Sequence, residues 1–228
     1  MLKDIIGISK GDIISFIGGG GKTTIIKDLT YEMIPFYTVA ITTTTHIYPY
    51  HGVKTVFLRE DLPDENPLFF ARDMDSNGKL VGLLPGDIKS IKRDVILVEA
   101  DGSKGRSLKA PAEWEPVVPD CTTITCIVIG LDVIGKPLDG EYVYRAERVC
   151  RLTGYRLGMT VDAELILRLL NPDGLLKGAK GKIFIILNKA DIVGKEEAYG
   201  MGRIIKVRTG KDVIIRYKRT RWLYEKCT

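Results

Sequence analysis

Ile13-Ile14-Ser15-Phe16-Ile17, continuing directly into Gly18-Gly19-Gly20-Gly21-Lys22-Thr23-Thr24, is the stretch from which the fold can be read. The first five residues form a short apolar run of the kind found in a buried strand. Residues 23–33 then place Ile25, Ile26, Leu29 and Met33 at helical spacing, with Pro35 closing the helix. Four consecutive glycines serve neither element. They permit a tight turn whose N–H groups point inward, an anion nest at a helix N-terminus. Gly18, Gly19, Gly20 and Gly21, with Lys22, Thr23 and Thr24, are therefore expected to cradle phosphate. In such a loop the Lys22 ammonium reaches the outer phosphates and the Thr23 hydroxyl ligates Mg²⁺. The usual spacing has glycine where Phe16 stands, so the first turn of this loop departs from it.

Outward from this unit, apolar runs alternate with helix-like segments, which predicts parallel βαβ units. Strands are expected at 39–42, 54–58, 94–98, 122–129 and 183–187, and helices at 85–92 and 162–170. Thr160 is the expected N-cap of the second helix and Asn171-Pro172 its stop; a further helix-like segment lies at 142–152. The runs 68–72 and 80–84 flank Asp75-Ser76-Asn77-Gly78, which predicts a hairpin. The fold class expected is α/β: a doubly wound, mainly parallel sheet of the P-loop NTPase kind with an inserted β-hairpin region. Residues 1–228 are expected to form one such domain, with a basic C-terminal segment at 203–228.

Composition agrees with a globular chain. Of 228 residues, 45% are hydrophobic and 28% charged, which excludes disordered and collagen-like classes. Apolar runs such as 95–98 and 183–187 fall far short of a membrane span. The first residues carry Asp4 where a signal peptide has its apolar core, so a cytoplasmic location with no membrane partner is expected. Cys121, Cys126, Cys150 and Cys227 include no CxxC pair and read as core thiols. Glutamine is absent and there are four asparagines, a bias seen in thermophile proteins. The net charge of +5 is concentrated at the end. From Arg203 onward nine basic residues face two acidic ones, a local +7. Ile204, Ile205, Val213, Ile214 and Ile215 interleave these charges, which favours a solvated face of a folded element over a nucleic-acid site.

Three further segments carry chemistry. Glu99 and Asp101, two apart at the end of a buried strand, supply the acidic side of a phosphate site. Asp101 is the expected Mg²⁺-side carboxylate and Glu99 the water-orienting one, with the exchanged assignment open. Asn188-Lys189-Ala190-Asp191 follows another buried strand and matches NKxD. In that motif the aspartate accepts from guanine N1 and N2, the lysine stem packs on the ring and the asparagine braces the loop. Between 101 and 111 lies a loop with Lys104, Arg106 and Lys109, able to clamp an anionic substrate. Thr42–Thr45 is compatible with a switch segment or simply a strand, and His46 and His51 read as ordinary histidines.

These pieces occur in a fixed order: GGGGKTT (18–24), TTTTHIYP (42–49), VEADGSKGRSLKAPAEWEPVVP (98–119), VIGLDVIGKPL (128–138), RAERVCRLTG (145–154) and LNKAD (187–191). In them the chain resembles the YqeC family from about residue 11 to 191, departing from it at Tyr144-Arg145, where a His-Arg pair is common. The resemblance implies a P-loop NTPase acting as an accessory protein of a selenium-dependent molybdenum hydroxylase. It implies Mg²⁺ and GTP or ATP as cofactors, the hydroxylase or its cofactor machinery as partner, and leaves a homodimer open. Two alternatives share the phosphate loop: a kinase or nucleotidyltransferase acting on an anionic, pterin-like acceptor, and a nucleotide-switched binding module.

Overall fold

The computed structural model describes residues 1–58, 63–218 and 222–227. Helix α1 (Leu2–Ile6) precedes β1 (Ile13–Gly18), and the glycine turn leads into α2 (Lys22–Met33). The strands β2 (Val39–Thr43), β3 (His46–Ile47), β4 (Lys54–Phe57), β5 (Leu68–Ala71), β6 (Asp73–Met74), β7 (Leu80–Val81) and β8 (Val95–Glu99) follow. Next come β9 (Leu108–Lys109), β10 (Ile124–Gly130), β11 (Val143–Tyr144), α3 (Ala146–Thr153) and α4 (Ala163–Leu169). The last elements are β12 (Lys182–Asn188), α5 (Lys195–Thr209), β13 (Asp212–Lys218) and β14 (Trp222–Lys226).

Nine strands form one sheet in the order β14-β13-β12-β10-β1-β8-β2-β5-β4. Every neighbouring pair is parallel except β13 with β14. The strand runs are apolar on both faces because helices cover both. Ile14 and Phe16 of β1 pack with Ile25, Ile26, Leu29 and Met33 of α2 and with α1. Ile13 and Ile17, alternating with them, pack with residues of α3, α4 and α5. The four apolar residues of α2 are completely buried, each contributing on the order of 2 kcal/mol. This is the mainly parallel, doubly wound α/β architecture expected. Strand β1 lies between β8 and β10, so the glycine turn leaves the sheet flanked by the carboxyl ends of both.

Several elements differ from the sequence reading. The run 68–72 reads as a hairpin arm, but β5 runs between β2 and β4 in the main sheet. Leu68-Phe69-Phe70-Ala71 is buried throughout, which suits a strand covered on both faces. The hairpin is β6–β7 alone, and β3 joins it to make a small antiparallel sheet. At its turn Asp75 Oδ1 accepts from the amides of Asn77 and Lys79. The helix expected at 85–92 is a single 3-10 turn, Ile88–Ser90, too short a segment to sustain a nucleus. Residues 142–152 split into β11 and α3 at Arg145, whose φ is 61°. The N-cap of α4 is Asp162 rather than Thr160, its carboxylate accepting from Leu165 N at 2.8 Å.

The basic C-terminal segment is also more than a solvated face. It spans the second half of α5, then β13 and edge strand β14, with Ile205, Val213, Ile214 and Ile215 buried and Ile204 exposed. Cys126 and Cys227 are buried and Cys121 and Cys150 half-buried, all four as free thiols. Among the described residues no helix is long and apolar enough to cross a membrane, and no three His, Cys, Asp or Glu side chains gather as a metal site.

Candidate functional site

Backbone packing explains the four glycines. Gly18, Gly20 and Gly21 have φ of 96°, 84° and 115°, a region costly for residues with a Cβ. A Cβ on Gly18 would come within 3.0 Å of the Val128 carbonyl, one on Gly19 of the Arg106 carbonyl, and one on Gly20 of the Gly130 backbone. Phe16, where the usual pattern has glycine, is still strand and is fully buried under α2; the turn begins two residues later. Gly19 N donates to Val128 O at 2.9 Å and Gly20 N to Arg106 O at 3.0 Å. Beyond them lies the N-terminus of α2, whose first-turn amides have no partner within the helix.

Lys22 is 3% exposed. Its ammonium donates to Gly18 O at 2.6 Å and lies 3.0 Å from Asp101 Oδ1 and 4.0 Å from Glu99 Oε1. Burial works against its charge, but Asp101 and Glu99 outweigh that and hold the ammonium above its ordinary pKa. Thr23 Oγ1 donates to Glu99 Oε2 at 2.9 Å, and Tyr50 OH donates to the same oxygen at 3.1 Å. Burial raises the Glu99 carboxyl above the usual range, opposed by Lys22. Burial and the neighbouring Glu99 likewise push the Tyr50 phenol well up.

Asp101 bridges Lys22 to a second cation. Its Oδ2 accepts from Gly18 N at 2.9 Å and meets Lys109 Nζ at 3.1 Å. Lys109 is fully buried and also donates to Glu115 Oε2 at 2.7 Å and Gly102 O at 2.7 Å. Arg145 binds Glu115 in two-pronged fashion, at 2.6 and 3.1 Å. Burial opposes ionisation of Glu115, but its bonds to Arg145 and Lys109 prevail and bring its pKa down to about 2. A chain of alternating charges thus runs Lys22, Asp101, Lys109, Glu115, Arg145.

On the other flank, Asn188 Nδ2 donates to Gly20 O at 2.6 Å. Asn188 Oδ1 accepts from Arg216 at 2.9 Å, and Arg216 also pairs with Asp28 of α2 and donates to Tyr224 OH at 3.3 Å. Arg216 is fully buried, so a residue of the basic segment lies beneath the glycine loop. Lys189, at φ 60°, donates to Asp132 Oδ2 at 2.6 Å and to Ser107 Oγ at 2.9 Å. Asp191 is exposed. Gly21, Thr24, Asp132, Asn188, Lys189, Asp191 and Arg216 line a cavity of about 530 Å³.

A larger cleft of about 750 Å³ also borders this loop and shares Gly21, Thr24 and Lys189 with the first. Gly21, Lys22, Thr23, Thr24 and Glu99 form its floor, and Thr45, His46, Tyr48, Lys79, Ser103, Lys104 and Tyr144 are among its walls. The three cations expected to clamp a substrate do not converge there. Lys104 lines the cleft. Arg106 donates to Gly140 O at 3.1 Å and Lys104 O at 2.7 Å. Lys109 is committed to the buried charge chain. Of the threonine run, Thr42 and Thr43 bond to the carbonyls of Phe70 and Glu99, a strand role.

The sequence assigns no site role to Tyr50, Glu115, Asp132 or Arg216, and it marks Arg145 only as a departure from the family pattern. Arg216 alone carried a signal: one arginine closing the apolar run Val213-Ile214-Ile215, where a charge needs a buried partner.

The sheet, the glycine turn after its central strand and the helix entered through Lys22 define an α/β protein of the P-loop NTPase-like, doubly wound class. The chain belongs to the YqeC family: the family model described as YqeC protein matches residues 14–147, from β1 into the first turn of α3. The uncharacterized protein YqeC of Escherichia coli (strain K12) is 34% identical over 180 residues, covering 72% of this chain and 70% of that protein. No solved structure matches the chain.

Proposed function

We propose that this protein is a Mg²⁺-dependent nucleoside triphosphatase that takes GTP and assists maturation of a selenium-dependent molybdenum hydroxylase. One observation carries the nucleotide reading: at the mouth of a glycine loop that tolerates no Cβ, the Thr23 hydroxyl is bonded to Glu99 while Lys22 is held by Asp101. The maturation role follows from the family resemblance.

Two hard oxygen donors 2.9 Å apart, one of them a buried carboxylate, suit Mg²⁺. Thr23 and Glu99 would hold the ion, which exchanges the roles first expected of Glu99 and Asp101; when bound, it supplies neutralisation of phosphate charge. Lys22 leaves Asp101 and Gly18 O for the phosphates. Asp101 keeps the Gly18 amide and Lys109, and so fixes the start of the turn. Asn188, backed by Arg216, holds Gly20 O and sets the pitch of the loop against β12. Asp191, on the wall of the 530 Å³ cavity, accepts from guanine N1 and N2, an arrangement that adenine lacks.

Calorimetric titration with GTP and ATP, with and without Mg²⁺, tests this reading. GTP should bind more tightly, Mg²⁺ should strengthen it, and Asp191→Asn should erase the preference while Lys22→Ala removes binding. Equal affinity for ATP, unchanged by Asp191→Asn, would refute the guanine assignment. Cells lacking the protein should yield hydroxylase deficient in selenium or molybdenum by elemental analysis; full metal content would remove the maturation role.

A further inference from the structure

The two cavities share Gly21, Thr24 and Lys189, so they meet at the glycine loop and extend from it in different directions. With a base in the smaller one and phosphates on the loop, the outer part of the larger cleft lies past the terminal phosphate. Its walls differ from those of the floor. Tyr48 is 63% exposed with the Lys79 ammonium 5.0 Å from its ring centroid. Tyr144 has the Arg145 guanidinium 4.4 Å from its ring centroid, with the Lys104 ammonium at 5.5 Å and that of Lys109 at 5.7 Å. Among the described residues neither Lys79 nor Lys104 has a carboxylate within ion-pair distance. The cleft also contains Glu115, but that charge is already matched by Lys109 and Arg145. Gly102, Ser103 and Gly105 line the same region and leave it without bulk.

Two tyrosine rings, each near a lysine ammonium outside any ion pair among the described residues, beside the small residues Gly102, Ser103 and Gly105, suit a flat ring that carries negative charge. From this we infer that the outer cleft is a second binding site for a planar anionic small molecule, an aromatic heterocycle bearing a phosphate or carboxylate, held together with the nucleotide. The ring lies against Tyr48 or Tyr144, and the anionic group is met by Lys79 and Lys104. The placement beyond the terminal phosphate rests on the nucleotide reading; the chemistry of the walls does not.

Riboflavin 5′-phosphate, a planar ring with one phosphate, is the probe, followed by its own fluorescence with and without a non-hydrolysable GTP analogue and Mg²⁺. Saturable quenching is expected in both conditions. Tyr48→Ala and Lys79→Ala, both on the outer wall, should each weaken it about tenfold, as loss of one stacking or one charge contact implies. Their circular dichroism and GTP affinity should be unchanged. No quenching, quenching abolished by the GTP analogue, or quenching indifferent to both substitutions would each overturn the site. If the probe binds as expected and GTP does not bind at all, the site stands and the nucleotide reading falls.

Discussion

Replacing Asp101 with asparagine separates two roles this carboxylate could have. The side chain is 2% exposed and pairs with Lys22 at 3.0 Å and Lys109 at 3.1 Å. Around it six charges, three of each sign, are buried or half-buried: Lys22, Lys109 and Arg145 against Glu99, Asp101 and Glu115. Asparagine keeps an acceptor for Gly18 N but leaves one positive charge in excess. At an effective dielectric of about 20, each pair is worth on the order of 5 kcal/mol before desolvation. Breaking such a pair from one side costs about 3–5 kcal/mol net, a large share of a domain's stability. Urea denaturation should therefore show Asp101→Asn destabilised by about 3 kcal/mol without ligand. A triphosphate brings the missing negative charge and no longer competes with Asp101 for Lys22. Stabilisation by GTP with Mg²⁺ should then exceed that of the parent by about 1–2 kcal/mol at equal ligand. If GTP instead stabilises the variant less than the parent, Asp101 serves the metal directly and the assignment of Glu99 to that place is wrong. An unchanged urea midpoint without ligand would refute the charge-chain argument itself.

Glu99→Gln and Thr23→Val should abolish the gain in GTP affinity from Mg²⁺ while leaving metal-free binding within about threefold of the parent, read by titration with and without EDTA. Gly20→Ala should lose at least about 3 kcal/mol in chemical denaturation, combining positive φ with a backbone clash. Glu115, with its pKa lowered to about 2, stabilises the fold above its unfolded value near 4.5; that contribution should drain away as pH falls from about 5 toward 2. Arg145→Met should flatten the decline in an acid titration followed by circular dichroism. Arg216→Met should raise the Kd for GTP through Asn188 and Gly20, and Asn188→Ala should add little to it in a double-mutant cycle.

What could be read from sequence was whatever has a local signature. Glycine repeats between an apolar run and a helical period announce a tight strand-to-helix turn, and uninterrupted runs such as 95–98 announce strands covered on both faces. The segment 188–191 lies at the end of β12, where Asn188 Nδ2 donates to Gly20 O. Pairings across the chain have no such mark. Leu68–Ala71 is as apolar as a hairpin arm or a central strand, and only the sheet decides between them. Lys109 in a basic loop looks like a hand held out to an anion; its burial depends on Glu115 and Asp101 arriving from elsewhere. Glu99 and Asp101 sit two apart, but which one meets Thr23 depends on how the chain leaves β8.

The obstacles around the glycine turn are main-chain atoms: the carbonyls of Val128 and Arg106 and the backbone of Gly130. No substitution elsewhere can trim a carbonyl, so a defect caused by a side chain at Gly18, Gly19 or Gly20 has no second-site cure. Genetic suppression should return same-site revertants there, whereas losses at Lys109, Glu115 or Arg145, made of flexible side chains, leave room for compensating changes. Mutational history at this turn is thus a one-way street set by geometry, while its charged surroundings stay free to drift together.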